Sequence, residues 1–243
     1  MEAALDDTLS DLGLDYLDLY LMHWPVGNTG PDGKLEFDYI STWQAMEALP
    51  LTNKTKHIGV SNFNAHQLYE LIGNATISPA VHQMELHPYL QQTWWLAQHK
   101  AHGIAVTAYS PLGDTNPTYH DSSPSFSSSS ASEEYHGEVE GEAEEAPRLL
   151  DNPVLKSIAA RRNCTVPQVA LSWGQQRGVA VIPKSSHVKW IKENLASTEC
   201  ELGVLDLAEI KGVGIKYLHR FNNPSKGWRV KLFKGLDGVD YDD

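Results

Sequence analysis

The sequence predicts an α/β protein built on a parallel sheet. Two observations carry that expectation: short β-branched or aromatic runs alternate with longer segments of helical apolar spacing, and each run ends in a cluster of polar residues. Repeated strand, helix, strand units need crossover connections, which align successive strands and pack the helices outside the sheet. The first helix is read over Glu2 to Leu12, with Leu5, Leu9 and Leu12 at helical spacing and Gly13 as its stop. Tyr16 to Met22 is the first strand and Ile58 to Ser61 the second, after which Asn64 caps a helix running to Gly73. Val81 to Leu86 is the third strand, followed by a helix over Gln92 to His102 that Gly103 closes, and Ala105 to Ser110 is the fourth. Asp151 or Asn152, with Pro153 at the first helical position, starts a helix to about Asn163, and Pro167 to Arg177 makes another. Val179 to Ile182 is the fifth strand, helices follow over Val188 to Leu195 and Asp206 to Val213, and the tail from Phe221 is irregular.

The polar clusters follow the strands in turn: His23; Ser61 and Asn62; Glu85 and His87; Tyr109 and Ser110; Lys184 and Ser185. In a parallel sheet or barrel, that edge is where ligands bind.

Composition narrows the function. The chain has 243 residues, 41% hydrophobic and 21% charged, enough for one large domain or two small ones, with no apolar run that spans a bilayer. A net charge of -12 argues against a nucleic-acid partner. The segment from Asp114 to Pro147 holds nine Asp or Glu and no Lys or Arg, leaving 22 acids against 19 bases elsewhere. Ser-rich in its first half and Glu-rich in its second, this insertion at 114–147 is expected to be a disordered surface loop, an acidic docking tract being the alternative. Two distant cysteines, Cys164 and Cys200, make neither a disulfide framework nor a zinc site, which suits a reducing compartment. With no basic, apolar leader at the N-terminus, the expected location is the cytoplasm.

Familiar cofactor and hydrolase signatures are missing. Gly212-Val213-Gly214 lacks a third glycine and ends a helix, so it is no dinucleotide fingerprint, and neither a Walker sequence nor a Gly-x-Ser-x-Gly elbow occurs. Metal ligation is not expected either, since in a strand His82 faces away from Glu85 and His87.

Five strings together are more telling. LGLDYLDLYLMHWP (Leu12 to Pro25), IGVSNF (Ile58 to Phe63), HQMELHPY (His82 to Tyr89), VTAYSPLG (Val106 to Gly113) and IPKS (Ile182 to Ser185) stand in one order and spacing, and in this the chain resembles the aldo-keto reductases. The resemblance covers nearly the whole chain apart from the acidic insertion. It implies a (β/α)8 barrel, incomplete here because the strands match the fourth to eighth of the family, and a single partial barrel domain over 1–243. It further implies NADPH as cofactor and reduction of a small aldehyde or ketone, often by a monomer.

Residue by residue, the resemblance makes His23 the catalytic histidine that polarises the substrate carbonyl and Trp24 a wall of the substrate pocket. Ser61, Asn62 and Gln83 match the positions that bond the nicotinamide carboxamide, and Tyr109 matches the ring stacked on the nicotinamide. Ser110 and Leu112 lie on the pyrophosphate path, Lys184 and Ser185 at the adenosine 2′-phosphate, and Glu193 and Asn194 near the adenine. Two departures qualify this. Trp190 stands where the family has an arginine, which leaves NADH possible beside NADPH, with Lys189 as a partial substitute. The family's tyrosine proton donor, with its aspartate and lysine, falls upstream of the matched segment. The alternative to a reductase is therefore an inactive fragment or a cofactor-sensing binding module.

Overall fold

The computed structural model describes residues 1–26, 38–113, 146–224 and 232–233. The acidic insertion expected at 114–147, apart from Ala146 and Pro147, and most of the C-terminal tail fall outside the described residues. The chain forms two compact units, one of Met1–Met84 with Thr93–Thr107, the other of Glu85–Gln92 with the chain from Ala108 onward. The strands lie in the order β1-β2-β3-β4-β5, which is the order of the sequence.

In the first unit α1 (Glu2–Leu12) buries Leu5 and Leu9 and ends at Gly13, whose φ of 64° lies in the left-handed region that glycine enters without strain. Strand β1 (Leu17–Met22) pairs in parallel with β2 (Thr55–Ser61) from Leu17 opposite Thr55 to Met22 opposite Val60. Strand β2 pairs in parallel with β3 (Val81–Glu85), placing Val60 opposite His82 and Ser61 opposite Gln83. Gly59 is needed in that central strand, because a Cβ there would collide with the Val81 carbonyl oxygen and the Leu21 side chain. Strand β2 begins three residues before its expected start. Exposed Lys56 and His57 disguise the run, while Thr55 is buried ahead of them.

Helix α2 (Tyr39–Met46) was not foreseen, although its signals are local. The Asp38 side chain accepts the Ser41 N–H at 3.2 Å as an N-cap, and Tyr39, Trp43 and Met46 recur at helical spacing and are all buried. Helix α3 (Ala65–Asn74) opens with a reciprocal box: Gln67 N–H donates to Asn64 Oδ1 at 2.9 Å, and Asn64 N–H donates to Gln67 Oε1 at 3.0 Å. Helix α4 (Thr93–Ala101) leads into β4 (Ala105–Tyr109), whose Ala105 N–H donates to Ala80 O at 3.0 Å. Ile58, Val60, Leu68, Leu71 and Trp43 fill this unit's core, each contributing about 1.5–3 kcal/mol by leaving water.

In the second unit Asn152 caps α5 (Pro153–Arg162), with Pro153 at the first helical position as expected. Thr165 and Gln168 form a second reciprocal box on α6 (Val166–Gln176). Strand β5 is reduced to Ala180–Val181, although Ile182 N–H still donates to Ala108 O at 3.1 Å. Helix α7 (Val188–Leu195) and α8 (Val204–Lys216) follow. Helix α8 starts earlier than expected because the buried Asp206 side chain accepts the Gly203 N–H at 2.7 Å. Arg161 and Arg162, at the end of α5, neutralise the same carboxylate. Leu155, Ile158, Val169, Leu171, Trp173 and Ile210 form the core between these helices.

The cysteines correct an expectation. Cys164 and Cys200 are joined in a disulfide, with Cα atoms 6.0 Å apart, tying the turn between α5 and α6 to the segment that follows α7. The sequence places them 36 residues apart, and folding back of α6 and α7 removes that distance. The case for a reducing compartment drawn from the cysteines therefore falls away. Among the described residues no helix is long and apolar enough to cross a membrane.

Candidate active site

The first unit carries His23 and Trp24 just past β1, Ser61 and Asn62 at the end of β2, and Gln83 within β3. His23 directly follows β1 and is exposed, whereas Trp24 beside it is buried, their ring centroids 6.1 Å apart. Ser61 and Asn62 are buried. Asn62 turns the chain out of β2 with a φ of 63°, a left-handed conformation that asparagine tolerates better than most residues. Three bonds fix it there: its N–H donates to Gln83 O at 3.0 Å, and its Nδ2 donates to His23 O at 3.0 Å and to Ser61 Oγ at 3.0 Å. These bonds link three successive strands through one residue.

Immediately after Asn62, Phe63 N–H donates to Nε2 of His82 at 3.1 Å. His82 is wholly buried on β3, and its Nδ1 lies 2.6 Å from Nε2 of His99 on α4, whose own Nδ1 lies 2.6 Å from Trp95 O. Burial, reinforced by the neighbouring His99, holds His82 well below the usual histidine range. Burial also lowers His99, helped by His102 and opposed by the Trp95 carbonyl. His99 was not singled out from sequence, its partner lying 17 residues away on another element.

The second unit carries the other candidates. Tyr109 ends β4, and Ser110 follows with a φ of 46°. Ser110 Oγ accepts Asn222 Nδ2 at 3.0 Å, and its carbonyl accepts Gly113 N–H at 2.9 Å, closing a tight turn around half-buried Leu112. Lys184 is exposed beyond β5, and Ser185 Oγ accepts His187 N–H at 3.1 Å at the entry to α7. Half-buried Glu193 and Asn194 lie on α7, with Glu193 O accepting Gln168 Nε2 at 3.2 Å. Trp190, half exposed on the same helix, packs edge-on against the His187 ring.

Glu85 anchors a network that the sequence showed only as a polar strand end. The buried carboxylate accepts the backbone N–H groups of Phe221 and Asn222 at 2.6 and 2.9 Å and pairs with His87 Nε2 at 2.8 Å, with Arg220 4.0 Å away. Burial opposes its ionisation, but the His87 bond and charge, Arg220 and the Phe221 N–H together outweigh burial and hold it down at about 2. Through Asn222 this carboxylate fixes the partner of Ser110, a link that 137 residues of sequence conceal.

A parallel α/β sheet with its polar side chains collected beyond the strand ends defines a protein of the class whose ligands meet the C-terminal edge of the sheet. The chain belongs to the aldo/keto reductase family, whose model matches residues 1–215. It is 40% identical to an uncharacterized oxidoreductase of Schizosaccharomyces pombe, over 96% of this chain and 68% of the relative. It is 37% identical to an NADPH-dependent D-xylose reductase of Meyerozyma guilliermondii, over 96% of this chain and 73% of that protein. An aldose reductase of Giardia lamblia superposes with a TM-score of 0.77 at 30% identity, over 96% of this chain and 73% of that one. A Bombyx mori aldo-keto reductase, solved in complex with NADP, gives 0.74 at 30% identity, over 95% of this chain and 67% of that one. The chain thus spans about two thirds to three quarters of the length of these proteins, and 56% of a Gallus gallus aldo-keto reductase family 1 member A1.

Proposed function

We propose that the chain serves NAD(P)H-dependent reduction of a small aldehyde or ketone, with NADPH the preferred cofactor and NADH accepted. The observation that carries this reading is the Ser61, Asn62 and Gln83 cluster, built around an asparagine locked in a left-handed turn. The donor chemistry suits the cofactor. A hydroxyl and two side-chain amides are neutral groups that both donate and accept, as a nicotinamide carboxamide does, while Lys184 and Ser185 supply the charge and hydroxyl that suit a phosphate. When bound, the nicotinamide supplies the hydride.

The chain's own residues take the remaining tasks. Ser61, Asn62 and Gln83 hold the carboxamide and so fix which ring face is presented, and Tyr109 stacks against that ring. Ser110 and Leu112 flank the pyrophosphate, and Glu193 and Asn194 meet the adenine. His23 donates a hydrogen bond to the substrate carbonyl oxygen and polarises it toward attack, while Trp24 walls the substrate pocket and sheds water from it. With Trp190 in place of an arginine, Lys184 carries the 2′-phosphate without a guanidinium fork, so discrimination against NADH is weak. The alternative is an inactive fragment or a cofactor-sensing binding module, in which the same residues hold the cofactor without turnover.

Quenching of tryptophan emission by NADPH and by NADH tests the binding. Asn62→Ala is expected to weaken both cofactors about tenfold, and Lys184→Met to weaken NADPH alone by a similar factor, near 1.4 kcal/mol. Unchanged affinities in both variants would remove the assignment. Loss of NADPH absorbance with a panel of aldehydes then separates the readings: oxidation that His23→Ala abolishes means a reductase, and binding without oxidation means the module.

A further inference from the structure

We propose that His82 is a positioning residue for the Ser61 and Asn62 pair, acting as a hydrogen-bond acceptor whose tautomer His99 dictates. The inference rests on the reading of Ser61 and Asn62 as the carboxamide site. It starts from the turn itself: Asn62 N–H goes to Gln83 O, Phe63 N–H to His82 Nε2, and Asn64 N–H to Gln67 Oε1. Of these three consecutive amides, the first has a carbonyl acceptor and the third a side-chain amide oxygen, both of which accept whatever the pH. The second depends on an imidazole nitrogen, which accepts only while it carries no proton.

The arrangement admits one tautomer at each ring. Phe63 N–H points at His82 Nε2, so the proton of His82 sits on Nδ1 and is donated to His99 Nε2, 2.6 Å away. His99 must then carry its proton on Nδ1, which is donated to Trp95 O at 2.6 Å. The relay runs in one direction, from the Phe63 amide through two neutral rings to a carbonyl in α4. An added proton breaks it: on His82 it faces the Phe63 N–H with a second donor, and on His99 it faces the His82 Nδ1–H. Both rings are closed off, His82 at 0% and His99 at 1% exposure, with edge-on contacts from Phe63 and Trp95, so no water relieves the mismatch. Releasing the Phe63 amide loosens the residue that follows the left-handed Asn62 and frees the carboxamide pair to move.

A histidine that merely fills space makes different predictions. Histidine-labelled nitrogen NMR of the wild-type protein is expected to show Nδ1–H tautomers at both His82 and His99; an Nε2–H tautomer at His82 overturns the proposal with no variant made. His82→Gln, whose amide oxygen can accept the Phe63 N–H, is expected to keep amide-exchange protection at Phe63, whereas His82→Leu, of similar bulk, loses at least tenfold. NADPH affinity should fall about tenfold in the Leu variant and recover in the Gln variant, while adenosine 2′,5′-bisphosphate, which lacks the nicotinamide, binds all three proteins alike. Equal weakening of both ligands, or full protection of Phe63 in His82→Leu, refutes positioning. If Asn62→Ala leaves NADPH binding unchanged, the carboxamide reading fails, and loss of protection in His82→Leu still reports what His82 does to the turn.

Discussion

Among the described residues, each compact unit buries a polar cluster behind a candidate site residue, and these two clusters are built on opposite principles. The first unit's is neutral: His82 and His99 share protons in one direction and carry no net charge. The second unit's is charged: Glu85 stays ionised in the interior because His87, Arg220 and two backbone amides surround it. A neutral relay needs a fixed number of protons, whereas a buried carboxylate needs its full set of donors. The first is therefore broken by adding a proton, and the second by removing a partner. Both clusters stand directly behind candidate site residues, Asn62 in one unit and Ser110 in the other.

The largest break in this contrast is expected from Glu85→Ala. It strands His87, Arg220 and two amides without their anion, and urea unfolding should show a loss of about 3–5 kcal/mol. A loss below about 1 kcal/mol would mean that the C-terminal segment is held by something else. Reduction of the Cys164–Cys200 bridge should cost about 2–4 kcal/mol, with Cys200→Ser reproducing it in the absence of reductant. His82→Leu should cost about 1–3 kcal/mol, the penalty of one buried amide left unpaired, and His82→Gln clearly less. Equal costs for the Leu and Gln variants would show that volume, not acceptance, is what the position supplies.

Acidification separates the clusters with the smallest signal and the sharpest distinction. His82, His99 and His219 are all lowered from 6.5, so stability is complete above that value. Below it the unfolded chain takes up protons that the native rings refuse, and stability falls with falling pH by up to about 1.4 kcal/mol per unit for each ring that stays neutral. His102, one residue past α4, acts on His99 and itself meets the Tyr69 ring of α3, while His219 lies near His87 and Glu85. Glu85 acts in a lower window: its contribution is present above 4.5 and is lost as the pH falls from there through about 2. Unfolding free energies measured across this range should lose part of the upper slope in His82→Gln and the lower one in Glu85→Gln. A single slope removed by either variant would mean that the two clusters are coupled.

How much of this the sequence disclosed follows the range of the interactions involved. Caps are local, so the sequence alone points to Gly13 and Asn64 and narrows the cap of α5 to Asp151 or Asn152, of which Asn152 is the one used. Strand β2 is longer than the sequence suggests because its first three residues are polar, a buried threonine and two exposed residues, a pattern weaker than an apolar run. Helix α2 was missed although Asp38 and the Tyr39, Trp43, Met46 spacing announce it. Among the candidate site residues, short strings bring forward Ser61, Asn62, Ser110 and Lys184, and the structure supplies what holds the first three in place. Asn222 behind Ser110, His99 behind His82 and the joined cysteines could not be read, because each contact is closed by folding between distant segments.

The bridge between Cys164 and Cys200 also turns a stretch of chain into a covalent ring. The ring takes in α6, β5 and α7, and with them Lys184, Ser185, Glu193 and Asn194. Its most accessible stretch surrounds Val188, at the start of α7, where a protease finds exposed backbone. A single cut there yields two polypeptides that migrate as one on a non-reducing gel and part only when thiol is added. Nicked protein therefore keeps both halves of its second unit tethered, and can persist as an intact particle after its chain has been severed.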